Sequence, residues 1–280
     1  MRIELLYTLV LLAALAHAIW NAMVKASHDR LLMIAAIRSV GMLFGVVVVT
    51  FTPLPHTESW PYLLAAAAVH YAYYGFLLQA YRVGDLNLVY PLARGTAPLI
   101  VAALAALFVG EQLGPWKVTA VLLVSIGILS LAFRHGPPRG GAVPYALATG
   151  AAIAGYTSLS GVGVRLSESP LAYAGWLEIA TGIGMVLVAL TCRGATIRPF
   201  VRACWRQGLT AGVLSVSGYV IALWAMVYLP IAPVAALRET SVVFAALIGT
   251  YKLREAFGLQ RLTASCAVAF GVMLLTLPVR

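Results

Sequence analysis

Apolar residues form continuous runs along the whole chain, and short stretches rich in proline, glycine and charge separate these runs. Because the runs last about twenty residues and do not alternate, they predict membrane-spanning helices and not the strands of a barrel. The breaks place spans at about 5–25, 31–51, 61–80, 87–109, 117–133, 143–163, 171–191, 208–228, 233–251 and 262–278. The clearest breaks lie at 52–61, 134–144 and 192–208. The pattern predicts an all-α membrane protein with ten transmembrane helices.

Composition agrees with this interpretation. Of the 280 residues, 62% are hydrophobic and 10% are charged, whereas a soluble domain is about 45–50% apolar and about 25% charged. The three cysteines have neither metal-site nor redox spacing. No motif for phosphate binding, metal hydrolysis or a nucleophilic serine occurs. We therefore expect a protein that is not an enzyme and has no cofactor, metal or ATP motor.

The basic residues indicate how the chain crosses the membrane. The net charge is +10, which on so apolar a chain is a topology signal and not a nucleic-acid footprint. Four Lys and Arg residues fall on the side of the membrane where the amino terminus lies, and twelve fall on the opposite side. The positive-inside rule then predicts that both termini lie outside and that the segment 192–208 lies in the cytoplasm.

Charged residues and glycines recur with the same spacing in the two halves of the chain. Steps of 17 and 16 residues occur twice, offset by 144 positions, at Arg94, Glu111 and Gly127 and at Arg238, Glu255 and Gly271. We divide the chain into repeats at 1–135 and 143–280. Each repeat holds five spans, an odd number, so the second must cross the membrane upside down. Inverted repeats are typical of secondary transporters, which bind substrate near the midplane.

Four segments resemble a known family. They are AHAIWNAMVKAS (16–27), YRVGDLNLVYPLARGTAPL (81–99), GVGVRLSESPLAYAGWLE (161–178) and APVAALRETSVVFAALIG (232–249). The chain resembles the EamA branch of the drug/metabolite transporter superfamily. The resemblance implies ten helices in two five-helix repeats, alternating access, and a cavity lined by the fourth helix of each repeat. It also implies cytoplasmic termini, in conflict with the charge count, and we follow the charges.

Two arginines, one in the fourth helix of each repeat, are the leading substrate-binding candidates. Arg94 and Arg238 each lie about seven residues into their helices, roughly 10 Å deep. An arginine offers a planar fork of donors that suits a carboxylate or phosphate. Pro98 should free the carbonyl of Arg94 and unwind that helix. The alternative is that both arginines reach the interface or neutralise Glu239.

Three further charged residues lie within spans, where each needs a partner. Glu239 adjoins Arg238 and can pair with Arg94 across the repeat axis or bind a coupling proton. Arg38 and Glu178 occupy matching repeat positions with opposite charge. We expect them to form an internal ion pair, as a structural clamp or as a gate.

Polar and aromatic side chains form a third set of candidates. They lie at helical spacing in the first, third and eighth spans and can wall a cavity for a polar solute. The set comprises His17, Trp20, Asn21, His70, Tyr74, Tyr219 and Trp224. The alternative role of each is a helix–helix hydrogen bond or an interface anchor. Glu111 and Glu255 end their spans, and we expect them to be cap or loop residues.

These features predict a secondary transporter of a small anionic or zwitterionic metabolite, such as an amino acid or an organic or phosphonic acid. We expect it in the cell (inner) membrane, in contact with the lipid bilayer and driven by a proton or an exchanged solute, with a homodimer left open. Two alternatives remain at this stage. One is a drug or organic-cation exporter that uses Glu178 and Glu239. The other is a non-transporting scaffold subunit.

Overall fold

The computed structural model describes residues 3–84, 86–133, 141–253 and 259–276. The described residues form helices joined by turns and short connections. In chain order the helices are α1 (Ile3–Ala26), α2 (Arg30–Phe51), α3 (Trp60–Val83), α4 (Leu86–Leu104), α5 (Pro115–Ser130), α6 (Ala142–Leu166), α7 (Pro170–Tyr228), α8 (Ile231–Glu239), α9 (Ser241–Leu253) and α10 (Leu259–Thr276). Among the described residues, six helices are long and apolar enough to cross a membrane. The predicted all-α class is confirmed.

Local sequence signals set several helix ends. The Asp29 side chain accepts a hydrogen bond from the Leu32 amide at 3.1 Å and so caps the start of α2. Proline stands in the first turn of α3, α5 and α7, where its missing amide proton costs nothing. After α4, a π-helical turn over Ala105–Val109 ends at Gly110, whose φ of +72° suits glycine.

Helix α7 differs from the sequence prediction, because its 59 residues include the predicted break at 192–208. It nevertheless reverses direction. Arg38 donates hydrogen bonds to both Glu178 and Ser215, which would lie about 55 Å apart in a straight helix at 1.5 Å per residue. We call residues 170–192 the first arm, 193–206 the link and 207–228 the second arm.

The prediction of a non-helical loop between these arms was wrong. Apart from one proline and two glycines, the segment 192–208 consists of residues that a helix tolerates, and its buried Phe200 packs against the start of α2. The basic residues of this segment correctly indicated where the span ends, but they did not indicate whether the backbone after it is helical.

Helix breaks near the candidate arginines also differ from expectation. Helix α4 remains helical through Pro91 and Pro98, so the predicted unwinding at Arg94 is absent. The predicted ninth span is instead divided at Thr240, where α8 ends and α9 begins. The discontinuity therefore lies directly after Glu239.

Equivalent helices of the two repeats pack against each other in opposite directions. In α5, Gly127 faces Ala264 and Val268 of α10, whereas Gly271 of α10 faces Ala120 and Val124 of α5. Each contact has its counterpart 144 residues along the chain, and the contacts run antiparallel. The helix pair α2 and first α7 arm is also antiparallel, with Gly45 against Gly175 and Met42 against Gly182. The reciprocal contacts of α5 and α10 indicate a local two-fold axis perpendicular to these two helices.

The main apolar core joins both repeats. Its fully buried side chains include Val10, Ala66 and Val124 from the first half and Tyr173 and Leu237 from the second. Many of the buried positions are alanine or glycine, which lets helix backbones approach closely.

We predict that Gly271→Ala lowers the melting temperature of the protein in detergent. A β-carbon at Gly271 would lie 2.8 Å from a Val124 methyl and 2.9 Å from the Ala120 carbonyl oxygen, so α5 and α10 must separate. Overpacking of this kind costs about 1–3 kcal/mol. Gly194→Ala is the control, because nothing lies within 4 Å of its β-carbon position and alanine favours helix. Equal melting temperatures for the two variants would contradict the reciprocal packing.

Candidate functional site

A cavity of about 1290 Å³ lies between the two repeats. Its walls come from α1 to α4, α6, both arms of α7, α8 and α9. In α1 the lining runs from His17 to Ala26, and in α2 it runs from Arg30 to Arg38, so the cavity occupies the part of the bundle where α1 ends and α2 begins. We call this the Lys25 end. Exposed Lys25, Arg30 and Gln207 lie at its rim.

Arg94 and Glu239 join the two repeats at the inner part of the cavity. Nη1 of Arg94 lies 3.1 Å from Oε1 and 3.2 Å from Oε2 of Glu239, and both residues are about 5% exposed. Nη2 of Arg94 lies 2.6 Å from Nε2 of His17. Because arginine only donates, His17 accepts through Nε2 and carries its proton on Nδ1. This buried cluster holds α1, α4 and α8 together.

Arg38 and Glu178 form a second ion pair between the repeats. Nη1 of Arg38 lies 3.1 Å from Oε2 of Glu178, and its Nη2 donates to the Ser215 hydroxyl at 2.7 Å. Gly41 leaves the space for this carboxylate, since a β-carbon at Gly41 would collide with Glu178 Oε2. The pair therefore connects α2 to both arms of α7.

Arg238 occupies the repeat position equivalent to Arg94 but has a different environment. Its guanidinium lies over the Tyr219 ring, 5.5 Å from the ring centroid, and lines the cavity. Among the described residues it has neither an ion pair nor a hydrogen bond. The two repeats explain this asymmetry, because Gly95 stands where the second repeat has Glu239. Of the two equivalent arginines, Arg94 pairs with Glu239, and Arg238 has no carboxylate partner among the described residues.

Aromatic groups form much of the remaining wall. The His70 ring stacks on Tyr156 at 3.8 Å, and its Nδ1 lies 3.0 Å from the Ala66 carbonyl oxygen. The Tyr219 hydroxyl is 3.2 Å from the Ser160 hydroxyl. The cavity therefore combines flat ring faces with a small number of polar atoms.

The structure brings most of the predicted site residues together. The cavity lining includes His17, Trp20, Asn21, Arg38, His70, Tyr74, Arg94, Tyr219 and Arg238. Glu239 is placed behind Arg94. Trp224 does not line the cavity, and its ring instead contacts Tyr228 at 5.8 Å. Asn21 donates its side-chain amide to the His17 carbonyl oxygen at 2.8 Å, a bond within its own helix.

Tyr156 is a wall residue that the sequence interpretation missed. It is the one aromatic residue in the stretch 149–164, which otherwise contains small and aliphatic residues. A lone polar ring within this stretch of small residues is the signal that identifies it, because its neighbours are too small to fill the same space.

A polar cluster lies at the opposite end of the bundle, which we call the Glu111 end. Oε1 of Glu111 lies 2.7 Å from Nη2 of Arg165, and its carboxylate accepts the Ile231 amide proton at 2.9 Å. Arg165 also donates to the carbonyl oxygens of Met226 and Leu229. Glu111 is thus a cap, as expected, but it caps α8 of the other repeat. Glu255, its repeat counterpart, lies outside the described residues.

A cavity between two oppositely directed helical repeats, with buried charges in its wall, defines the class of multi-pass membrane transporters. The EamA-like transporter family matches residues 5–133 and again 141–277, so the chain belongs to this family. The resemblance seen in the sequence is confirmed, and the family is one of transporters and not of enzymes.

A solved crystal structure of a protein shares 17% of its sequence with this chain and superposes with a TM-score of 0.75. The match covers 98% of this chain and 96% of that one, and at this identity it shows the fold alone. A comparison with curated proteins finds no match.

We predict that Arg94→Gln destabilises the protein and that Glu239→Gln in the same chain restores much of the loss. The single variant leaves a buried carboxylate without its partner, which costs about 3–5 kcal/mol. The double variant removes both charges. Melting temperature and monodisperse yield in detergent measure the effect. If the double variant were no more stable than Arg94→Gln, the pair would not be the source of the stability.

Proposed function

We propose that this protein is a secondary transporter that carries a small organic anion, such as a carboxylate or phosphonate, by alternating access. Arg238 is the observation that carries the proposal. It lines the cavity, and the described residues offer it an aromatic face but no anion. A cation in a partly desolvated wall gains most from a charge-assisted, two-pronged contact with an anion. A substrate carboxylate or phosphonate supplies that contact.

The charges of the cavity favour an anion over a zwitterion or a cation. Arg38, Arg94 and Arg238 bring three positive charges, and Glu178 and Glu239 bring two negative ones. Each glutamate already accepts from an arginine. An amino acid or an organic cation would therefore have to displace an arginine to find a carboxylate. An organic anion needs no such rearrangement.

Ten spans, with each arm of α7 crossing separately, complete the proposed architecture. The Lys25 end of the cavity has exposed residues at its rim, and the Glu111–Arg165 cluster closes the other end. In the proposed transport cycle, the Lys25 end closes as the Glu111 end opens, and the reverse. The reciprocal contacts of α5 with α10 and the antiparallel packing of α2 with the first α7 arm support such an exchange, because inverted repeats can adopt each other's arrangement.

The driving force in this proposal is an exchanged solute. The chain has no ATP-binding motif. Glu239 is a poor site for a coupling proton, because both of its oxygens lie within hydrogen-bonding distance of Arg94. Exchange of one anion for another at Arg238 needs no further titratable group.

We predict that Arg238→Gln lowers the apparent affinity for an anionic substrate about ten- to a hundredfold, the equivalent of a lost charged hydrogen bond of about 1.5–3 kcal/mol. Arg238→Lys keeps the charge but loses the two-pronged donor geometry, so its affinity for the substrate should fall between those of the wild type and Arg238→Gln. Neither variant leaves a buried carboxylate without an ion-pair partner, so the melting temperature should stay near that of the wild type.

Uptake into proteoliposomes and thermal melting, measured on the same preparations, test this prediction. Arg82→Gln, an exposed position at the end of α3, is the control for loss of one positive charge. Unchanged uptake kinetics in stable Arg238→Gln protein would end the proposal that Arg238 binds the substrate.

The proposed orientation in the cell (inner) membrane places the Lys25 end in the cytoplasm, because twelve basic residues lie on that side and four on the other. We predict that a single cysteine at Thr57 reacts with an impermeant thiol reagent on whole cells. A cysteine at Gly140, a position outside the described residues, should not react. Both variants are made in a background without the three native cysteines. Labelling at Gly140 alone would reverse the orientation.

A further inference from the structure

The link of α7 (193–206) presents a basic face that the proposed transport function does not use. Arg198, Arg202 and Arg206 follow one another at four-residue spacing, so they lie along one side of the helix. All three are exposed. No acidic residue occurs between Glu178 and Glu239, and within the described ranges none of the three forms an ion pair. We call these residues the arginine stripe.

An apolar stripe runs beside the arginine stripe. Val201, Trp205 and Leu209 are also spaced by four residues, and their side chains are 47%, 54% and 47% exposed. The guanidinium of Arg206 lies 5.3 Å from the centroid of the Trp205 ring, so the two stripes are in contact. Tryptophan beside arginine is typical of the membrane–water interface, where the ring meets acyl chains and the charge meets headgroups.

The inner face of the link fixes both stripes in place. Phe200 is buried against Leu32 and Met33 of α2, and Arg193 pairs with Asp29 at 3.1 Å. The link therefore cannot rotate its arginines inward without losing these contacts. It also joins two membrane-spanning arms, which places it at the level where a span leaves the hydrocarbon.

We propose that the arginine stripe binds the headgroups of acidic phospholipids, with Trp205 and its apolar neighbours against their acyl chains. The apolar stripe is the reason to choose a lipid over a free phosphate, since a free anion would leave three large exposed side chains without a partner. Gln207, the residue after Arg206, lies at the cavity rim. A bound lipid would therefore lie beside the entrance of the transport cavity.

Native mass spectrometry of the full-length protein, released from detergent with defined lipids, tests this proposal. The wild type should retain phosphatidylglycerol at least tenfold better than phosphatidylcholine. Each arginine near an anionic surface contributes about fivefold in affinity, so Arg198→Gln with Arg202→Gln should weaken phosphatidylglycerol retention about 25-fold. Arg198→Lys with Arg202→Lys should keep most of it.

The matched control is Arg82→Gln with Lys117→Gln, which removes the same number of charges elsewhere. Its phosphatidylglycerol retention should match the wild type. Trp205→Ala should weaken retention of the lipid with all three arginines present. Equal retention of the two lipids by the wild type, or equal loss in the stripe and control variants, would overturn the proposal. Displacement of the lipid by millimolar inorganic phosphate would also overturn it, because the site would then be one for free anions.

Discussion

The ion pair between Arg94 and Glu239 is the interaction on which the rest of the site depends. Two charges in an apolar interior are tolerable only together, so this pair fixes α4 of the first repeat against α8 of the second. It also engages Glu239, the carboxylate that adjoins Arg238 in the sequence. The cause is a single difference between the repeats, Gly95 against Glu239. At Gly95 a β-carbon would lie 2.7 Å from Leu129, so no carboxylate fits there and the asymmetry is built into the packing.

Around this asymmetric centre the helix packing is symmetric. Gly127 and Gly271 bring α5 and α10 together through equivalent contacts in opposite directions. Arg38 and Glu178, from the second helix of each repeat, carry opposite charges and pair with each other. Under the proposed alternating access, this frame would open at either end, while the unmatched charge of Arg238 would stay in the cavity. A transporter needs both properties, because access must alternate and the substrate must find the same ligand from each side.

Much of the fold followed from the sequence because membrane spans are long, apolar and bounded by charge. The two repeats followed from spacing, and the family resemblance followed from four sequence segments. The helical link was missed because a cluster of arginines marks the membrane surface but does not disfavour helix. The sequence predicted unwinding in α4 and a continuous ninth span, whereas α4 is intact and the ninth span breaks at Thr240. Proline misled the prediction because neighbouring helices can support a proline in a helix interior. The sequence also left the partner of Arg94 open between substrate and Glu239, since helical periodicity does not say which faces of two helices meet. Trp224 was misplaced for the same reason.

The central claim, that one unmatched arginine sets the charge of the substrate, can be tested without any mutation. The measurement is the binding of three solutes of equal size and shape to the purified protein, a carboxylate, its primary amide and the corresponding amine, by calorimetry at low salt. The account predicts that the carboxylate binds at least tenfold more tightly than the amide and that the amine binds weakest. Tightest binding of the amine would contradict it, because Glu178 or Glu239 and not Arg238 would then be the group that the cavity offers to its substrate.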